Sequence, residues 1–261
     1  MGSRIGFMDD HIILQAQHLR KQFGALVAVQ DVSLTVRAGS LHSIIGPNGA
    51  GKTTLFNLLS GALKPTAGRV ILRDRDVTSL PPHRIAHLGI GRSFQITNIF
   101  PNLTVLENVR LAAQAMGRDS FNLLAATDRL NKYVERAYHA VEQVGLKEKA
   151  NHLASTLPHG DKRKLELGIL LASDPQVLLL DEPTAGMASE QVPQLMALIA
   201  DVRKSGDKTI LLVEHNMDVV MNVSDAISVM HYGNVLAEGT PAQIAANEQV
   251  QKAYLGELYN A

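Results

Sequence analysis

The sequence predicts an α/β fold: a mostly parallel sheet with a small antiparallel β subdomain and a helical subdomain inserted into it. Strand-like apolar runs alternate with helical patterns from residue 162 onward, which is typical of parallel strands covered by helices. Helical patterns alone occupy residues 97–160 and interrupt that alternation. Near the start, two strand-like runs at residues 12–19 and 27–36, joined by a turn at Gly24, account for the antiparallel part.

The central motif fills the pattern G-x-x-x-x-G-K-[ST] without a mismatch, as Gly46-Pro47-Asn48-Gly49-Ala50-Gly51-Lys52-Thr53-Thr54. An apolar run at residues 41–45 predicts a buried strand before it, and residues 54–59 predict the opening of a helix after it. This strand, loop and helix are the frame that the pattern requires. Glycines let backbone N–H groups approach an anion closely, so the motif predicts a phosphate-binding loop.

Lys52 is expected to supply most of the attraction for phosphate. A unit charge at about 4 Å and an effective dielectric near 20 contributes roughly 4 kcal/mol before desolvation. The positive end of the following helix adds about 0.3–1 kcal/mol. The hydroxyl of Thr53 is expected to bind Mg²⁺, a hard cation that prefers oxygen ligands.

After the loop, strand signals at residues 68–72 and 85–95 are separated by Pro81-Pro82. Thr104 and Glu107 form a predicted capping box that starts a helix, and a second amphipathic helix stops at Gly145. These two helices make up the predicted insertion.

The remaining elements alternate along the chain. We predict a helix ending at residue 172, a strand at 177–180, a helix near 192–202 and a strand at 209–213. A hairpin at 226–230 and 235–238 follows, and Thr240 with Pro241 and Gln243 caps a C-terminal helix.

Polar residues at strand ends are the chemical candidates, because doubly wound sheets bind ligands at the carboxyl ends of their strands. Asp181 and Glu182 follow a buried strand, and we expect Asp181 to hold Mg²⁺ through water or through the groups that surround the ion, and Glu182 to polarise the attacking water. His215 ends another strand and could donate a hydrogen bond to the γ-phosphate. Gln95, which ends the strand before the insertion, could contact Mg²⁺ or water. Phe23 could stack on adenine or belong to the core, and its position alone leaves both open.

Composition excludes several classes of function. Lys+Arg 25 balances Asp+Glu 25, so no basic field favours nucleic acid as a partner. The absence of Cys excludes disulfides and thiolate metal sites and fits a cytoplasmic protein. Residues 1–10 contain no apolar leader, and the most apolar stretch, 165–180, is broken by charged residues and Pro175. We therefore expect any membrane role to act through partners.

Taken in order, the candidate residues resemble an ATP-binding cassette (ABC) subunit over nearly the whole chain. The resemblance rests on Phe23, the loop at 46–54, Gln95, Leu157-Pro158-His159-Gly160-Asp161, residues 178–182 and His215. It implies a RecA-like P-loop NTPase fold, with ATP and Mg²⁺ as cofactors.

The resemblance also implies the roles of single residues. Phe23 would stack on adenine, Gln95 would bind Mg²⁺ and couple to partners, Glu182 would be the catalytic base and His215 the switch. Two subunits would close head to tail, each site completed by the partner's signature loop, which is residues 157–161 in this chain.

The domain organisation implied by the resemblance is a single ABC ATPase domain at 11–261. Residues 11–96 and 161–240 would form the RecA-like core with its β subdomain. Residues 97–160 would form the helical subdomain and 241–261 a C-terminal helical tail.

A finer resemblance is to the ATPase subunits of branched-chain amino acid importers. It rests on three strings, which related amide, urea and lipopolysaccharide transport ATPases largely share. They are Gly91-Arg92-Ser93-Phe94-Gln95 with residues 99–109, Asp181-Glu182-Pro183-Thr184-Ala185-Gly186-Met187, and Ala253-Tyr254-Leu255-Gly256-Glu257. This implies two membrane permease subunits as partners, a periplasmic or extracellular solute-binding protein acting indirectly, and a peripheral position on the inner face of the cell membrane.

The signature departs from the family's usual Leu-Ser-Gly-Gly-Gln at three positions, Pro158, His159 and Asp161. Pro158 offers neither hydroxyl nor backbone N–H to a partner's γ-phosphate. Ala188 stands where many relatives carry Asp or Asn. We expect this chain to pair with a different ATPase subunit. The two nucleotide sites, each formed by residues of both subunits, would then be unequal.

The competing hypothesis is a soluble ABC-type nucleotide switch in a non-transport complex. A generic P-loop kinase ranks third because it leaves Gln95 and His215 unexplained.

Overall fold

The computed structural model describes residues 11–93, 99–117, 127–204 and 207–258. Its strands are β1 Ile12–Phe23, β2 Leu26–Arg37, β3 Leu41–Ile45, β4 Ala67–Leu72, β5 Arg75–Asp76, β6 Ile90–Arg92, β7 Val177–Asp181, β8 Thr209–Val213, β9 Ala226–His231 and β10 Asn234–Gly239. Its helices are α1 Lys52–Leu59, α2 Pro82–His87, α3 Val105–Ala115, α4 Thr127–Gln143, α5 His159–Ala172, α6 Val192–Lys204, α7 Met217–Val223, α8 Pro241–Ala245 and α9 Glu248–Leu258.

The chain folds into two compact units. The first contains residues 1–85 and 203–261, and the second contains residues 86–202. The division predicted from the sequence, into a core with its β subdomain, a helical subdomain and a C-terminal tail, has other boundaries and stays a prediction.

The described residues of the first unit form eight strands in the order β5-β4-β1-β2-β10-β9-β3-β8. Antiparallel pairing joins β1 with β2 and β4, while β3 runs parallel to both β8 and β9. All five residues of β3 and of β8 are buried, as expected for parallel strands covered on both faces. The predicted combination of a parallel sheet and a small antiparallel part is confirmed.

The second unit pairs β6 with β7 in parallel and packs three helices together, α3, α4 and α5. Gly168 of α5 allows close packing, since a Cβ there would lie 3.2 Å from a methyl group of Val144. Thr104 caps α3 as predicted by accepting a hydrogen bond from the Glu107 N–H. The Glu107 carboxylate, however, forms an ion pair with Arg110, because that guanidinium one turn along α3 offers a charge-assisted bond.

The predicted strand at 85–95 is wrong over its first half. Pro81 accepts hydrogen bonds from the N–H groups of Arg84 and Ile85 and so starts α2, with Ile85 as its buried apolar residue. The strand β6 begins only at Ile90. A single apolar residue after a Pro-Pro pair fits the helical period as well as the strand period, which is why the sequence pattern assigned this segment to a strand.

None of the helices in the described ranges is both long enough and apolar enough to cross a bilayer.

A buried histidine makes the stability of the first unit depend on pH. His42 is 2% exposed, and its Nε2 lies 2.8 Å from Ser228 Oγ. Burial lowers the pKa of His42 to about 4, an effect that the charge of Asp225 opposes. Since the unfolded chain takes up the proton near pH 6.5, this contribution is complete above that pH and is lost as the pH falls towards 4.

We therefore expect the free energy of unfolding to fall by about 2 kcal/mol between pH 7.5 and pH 5 because of His42. Urea denaturation at both pH values measures this. The variant His42→Gln should lose that part of the pH dependence, whereas His139→Gln, at an exposed position, should keep it. An unchanged pH dependence in His42→Gln would exclude this origin.

Candidate nucleotide-binding site

The phosphate loop connects β3 to α1 in the first unit and is held by backbone contacts. Gly46 has φ 151° and Gly51 has φ 101°. A Cβ on Gly46 would lie 2.2 Å from the Met230 carbonyl oxygen, and one on Gly51 would lie 2.5 Å from that of Ala28. Both positions therefore exclude any side chain, which explains two of the three glycines in the motif physically.

Lys52, the first residue of α1, lies back over the loop. It is 6% exposed, and its Nζ donates hydrogen bonds to the carbonyls of Gly46 at 2.5 Å and Pro47 at 2.9 Å. These two bonds fix the ammonium group beside the N-terminus of α1, where backbone N–H groups and the helix dipole favour an anion. The loop therefore combines a fixed cation with a helix terminus.

The two threonines of the motif lie in the first turn of α1. Thr53 is exposed and Thr54 is half-buried. In the described parts of the chain no three His, Cys, Asp or Glu residues cluster in a way that could hold a metal ion. Each unit offers an oxygen donor of the kind that a hard cation such as Mg²⁺ prefers, namely the Thr53 hydroxyl in the first unit and the Asp181 carboxylate in the second.

His215 lies at the same edge of the first unit as the phosphate loop. The parallel pair β3 and β8 aligns Ile44 with Val213, and the chain reaches Gly46 and His215 two residues beyond each. The His215 side chain is exposed, and its N–H is 3.3 Å from Glu214 Oε2. β8 ends at Val213, so His215 lies two residues beyond the strand and not at its end as predicted.

Phe23 ends β1 in the antiparallel part of the same unit. Its ring is 44% exposed, which favours the stacking alternative over a core position. The Nζ of Lys21 lies 5.0 Å from the ring centroid and donates to the Lys64 carbonyl at 2.8 Å. A cation–π contact of this kind fixes the ring orientation.

Asp181 ends β7 in the second unit. Its side chain is 0% exposed, and its Oδ2 lies 3.3 Å from Nη2 of Arg92, the last residue of β6. Burial lowers the pKa of Arg92, while Asp181 opposes that shift. Ser93 adds a backbone contact, since its Oγ accepts from the Asp181 N–H at 3.1 Å. The end of β6 therefore holds both the carboxylate and the backbone of Asp181.

Glu182 follows Asp181 in an uncommon backbone conformation, with φ 49°. The Ala185 N–H donates to its carbonyl at 3.0 Å and closes a turn. Non-glycine residues with positive φ cost free energy and concentrate at functional sites. The Glu182 side chain is half-buried, and its role as a catalytic carboxylate stays a prediction.

The signature residues begin α5 in the second unit. Leu157 is buried, and Pro158 is the N-cap without any side-chain hydrogen bond. A Cβ on Gly160 would lie 2.7 Å from the side-chain oxygen of Gln191. His159 is exposed and lies close to Gly186. The signature loop therefore packs against the chain that follows Glu182.

Asp161 is engaged within its own unit. Its carboxylate forms ion pairs with Lys149 and, at 3.8 Å, with Lys164. Its place in the first turn of α5 also suits the helix dipole. These contacts offset the negative charge that replaces the family's usual Gln.

The described residues of the first unit bring together the phosphate loop and His215, and those of the second unit bring Asp181, Glu182 and the signature residues. Gln95 lies outside the described residues. Sequence reasoning missed the role of Arg92 towards Asp181. The available signal was a charged residue in an otherwise apolar strand ahead of the predicted metal ligand.

Comparison with known proteins identifies the family of this chain. The family model for ABC transporters matches residues 29–185, and one for branched-chain amino acid ATP-binding cassette transporters matches residues 234–259. The chain is 43% identical over 250 residues to the high-affinity branched-chain amino acid transport ATP-binding protein LivG of Salmonella typhimurium, covering 94% of this chain and 98% of that protein.

A second curated protein and a solved structure show the same similarity. BraF of Pseudomonas aeruginosa, a protein of the same description, is 42% identical over 252 residues, covering 94% of this chain and 98% of BraF. The crystal structure of the ADP conformation of an ATP-binding cassette of an ABC transporter has a TM-score of 0.81 and 30% identity, covering 94% of this chain and 99% of that one. This chain therefore belongs to the ABC transporter family, as one of its ATP-hydrolysing, nucleotide-binding subunits.

Proposed function

We propose that this chain is the ATP-hydrolysing motor subunit of a membrane importer for branched-chain amino acids or related amides. The observation that carries the proposal is the similarity to branched-chain amino acid transport ATP-binding proteins along 94% of the chain. The separate family match at residues 234–259 supports the same substrate class. ATP closes a dimer of ATPase subunits, and hydrolysis reopens it.

The phosphate loop binds the β- and γ-phosphates of ATP. Lys52 neutralises their charge, and the backbone N–H groups at the start of α1 add hydrogen bonds. Thr53 and Asp181 would hold Mg²⁺, with Gln95 as a further ligand; the bound ion supplies charge neutralisation at the phosphates. Phe23 stacks on the adenine ring.

Glu182 is the general base in this proposal. Its carboxylate accepts a proton from the attacking water as the water approaches the γ-phosphorus. The turn from Glu182 to Ala185 fixes that carboxylate before the reaction, which lowers the reorganisation required of the protein. His215 donates a hydrogen bond to the γ-phosphate and reports its presence to α7, which begins two residues later.

The signature residues 157–161 act on the partner subunit's nucleotide. Pro158 contributes neither a hydroxyl nor an N–H, so the donors of this loop begin at His159, with its ring and the backbone N–H groups of the first turn of α5. We propose that the second ATPase subunit is a different protein, so that the two composite sites are unequal.

The remaining partners are two membrane permease subunits, which hold the chain at the inner face of the cell membrane, and a solute-binding protein that acts through them. Phe100 is 56% exposed and Leu153 is 45% exposed. They lie on adjoining segments, since Thr104 bridges to Leu153. Exposed apolar side chains of this kind suit a partner surface.

The second candidate is a soluble nucleotide-switched module without transport, which the altered signature favours. Affinity purification of the tagged full-length chain from detergent-solubilised membranes separates the two. We expect two permease subunits and a second ATPase subunit to copurify in stoichiometric amounts. Soluble partners alone, with the same bait and detergent, would favour the switch.

A further inference from the structure

Arg163 connects the signature helix to the loop that follows Glu182. It lies in α5, and its side chain is only 10% exposed. One end of its guanidinium donates to Glu166 Oε2 at 2.8 Å, and the other donates to the Ala185 carbonyl at 3.1 Å. All three residues belong to the second unit. The planar fork of the guanidinium can make both bonds at once in a fixed direction.

Ala185 is the last residue of the turn that begins at the proposed base, Glu182. The Ala185 N–H closes that turn on the Glu182 carbonyl at 3.0 Å, and Glu182 has the strained φ of 49°. A strained backbone persists only where its surroundings hold it. Arg163 supports the carbonyl end of this turn through its bond to Ala185.

The Arg163–Glu166 ion pair is not an efficient way to stabilise the fold. Nε of Arg163 and Oε1 of Glu166 are buried and have no hydrogen-bond partner among the described residues. The pair borders a small cavity of about 20 Å³ whose lining includes Asp181, Leu195 and Ile199. A buried ion pair that is only partly satisfied usually stabilises no more than an apolar pair of similar volume. What Arg163 offers that an apolar side chain could not is the hydrogen bond to the Ala185 carbonyl, which has a fixed direction.

We propose that Arg163 is a positioning residue for the Glu182 carboxylate and transmits the position of the signature helix to it. α5 begins at His159, one turn before Arg163, so a displacement of the signature loop moves the guanidinium. The guanidinium then moves the Ala185 carbonyl and with it the turn at Glu182. This inference rests on the proposed role of Glu182 as the base.

The test compares variants of the full-length chain in the assembled transport complex, with Mg-ATP as substrate. Arg163→Met should lower kcat about tenfold, as expected for a misplaced base, while KM stays within about twofold. Arg163→Lys should give an intermediate kcat, because it keeps the charge but loses the fork. Arg136→Met, which removes a partly exposed arginine of the same unit, should change nothing.

Two further measurements separate positioning from folding. Amide exchange of Ala185 and Met187, whose N–H groups bond within the loop, should be faster in Arg163→Met without any nucleotide. The double variant Arg163→Met/Glu166→Leu should be at least as stable to urea as the wild type and still have the low kcat.

Unchanged kcat and unchanged exchange in Arg163→Met would overturn the inference. Recovery of kcat in the double variant would also overturn it. Absence of hydrolysis in the wild-type complex would instead contradict the proposed function, and the amide exchange would still decide whether Arg163 holds the turn.

Discussion

The variant Glu182→Gln should bind ATP with wild-type affinity and hydrolyse it about 10²–10⁴-fold more slowly, the usual contribution of a positioned general base. Gln has nearly the same shape as Glu, so the turn to Ala185 and the φ of 49° should persist. Its amide cannot accept the proton of the attacking water. Because closure needs ATP and reopening needs hydrolysis, the closed dimer should accumulate.

Single-turnover hydrolysis, equilibrium nucleotide binding and size-exclusion chromatography in ATP, all with the second ATPase subunit present, measure these three effects. Glu190→Gln, at an exposed position of the same unit, is the matched control and should behave as the wild type. Wild-type turnover in Glu182→Gln would exclude Glu182 as the base. A parallel loss of ATP affinity would point instead to a binding role.

The variant Lys52→Ala should lose ATP affinity by about 10²-fold or more, since it removes a charge interaction of roughly 4 kcal/mol before desolvation. It also removes both hydrogen bonds that the ammonium makes to the carbonyls of Gly46 and Pro47. The loop would then lose its main cation and part of its internal support.

Isothermal titration with ATP and Mg²⁺ measures the affinity of Lys52→Ala. Lys64→Ala is the control, because Lys64 is exposed and lies just beyond α1. Its side chain can be removed while its carbonyl still accepts from Lys21. Unchanged nucleotide binding in Lys52→Ala would disprove the role given to Lys52.

The parts of this site that the sequence predicts are those fixed by local pattern. The strand–loop–helix frame of the phosphate loop follows from one motif, and β8 begins and ends at the predicted residues Thr209 and Val213. Short, fully apolar runs mark buried parallel strands. Parallel pairing then brings His215 to the edge where the phosphate loop lies, which explains why a strand-end rule located it.

The parts that the sequence could not predict depend on contacts between distant residues. The charge of Arg92 in a short apolar strand marks it as unusual but does not name its partner, since the pair with Asp181 arises only because β6 and β7 are parallel and in register at Arg92 and Leu179. The same holds for Arg163, whose contact with Ala185 joins residues 22 positions apart. Such pairs require the register of strands and helices to be known first.

The most direct test of the central claim is the rate of ATP hydrolysis by the purified full-length chain, alone and in liposomes with its permease and second ATPase subunits. A motor that needs its partner's signature loop should hydrolyse ATP slowly alone and much faster after assembly. Hydrolysis by the assembled complex should accompany uptake of a labelled branched-chain amino acid when the solute-binding protein is present. Hydrolysis by the isolated chain at the rate of the assembled complex would contradict the account.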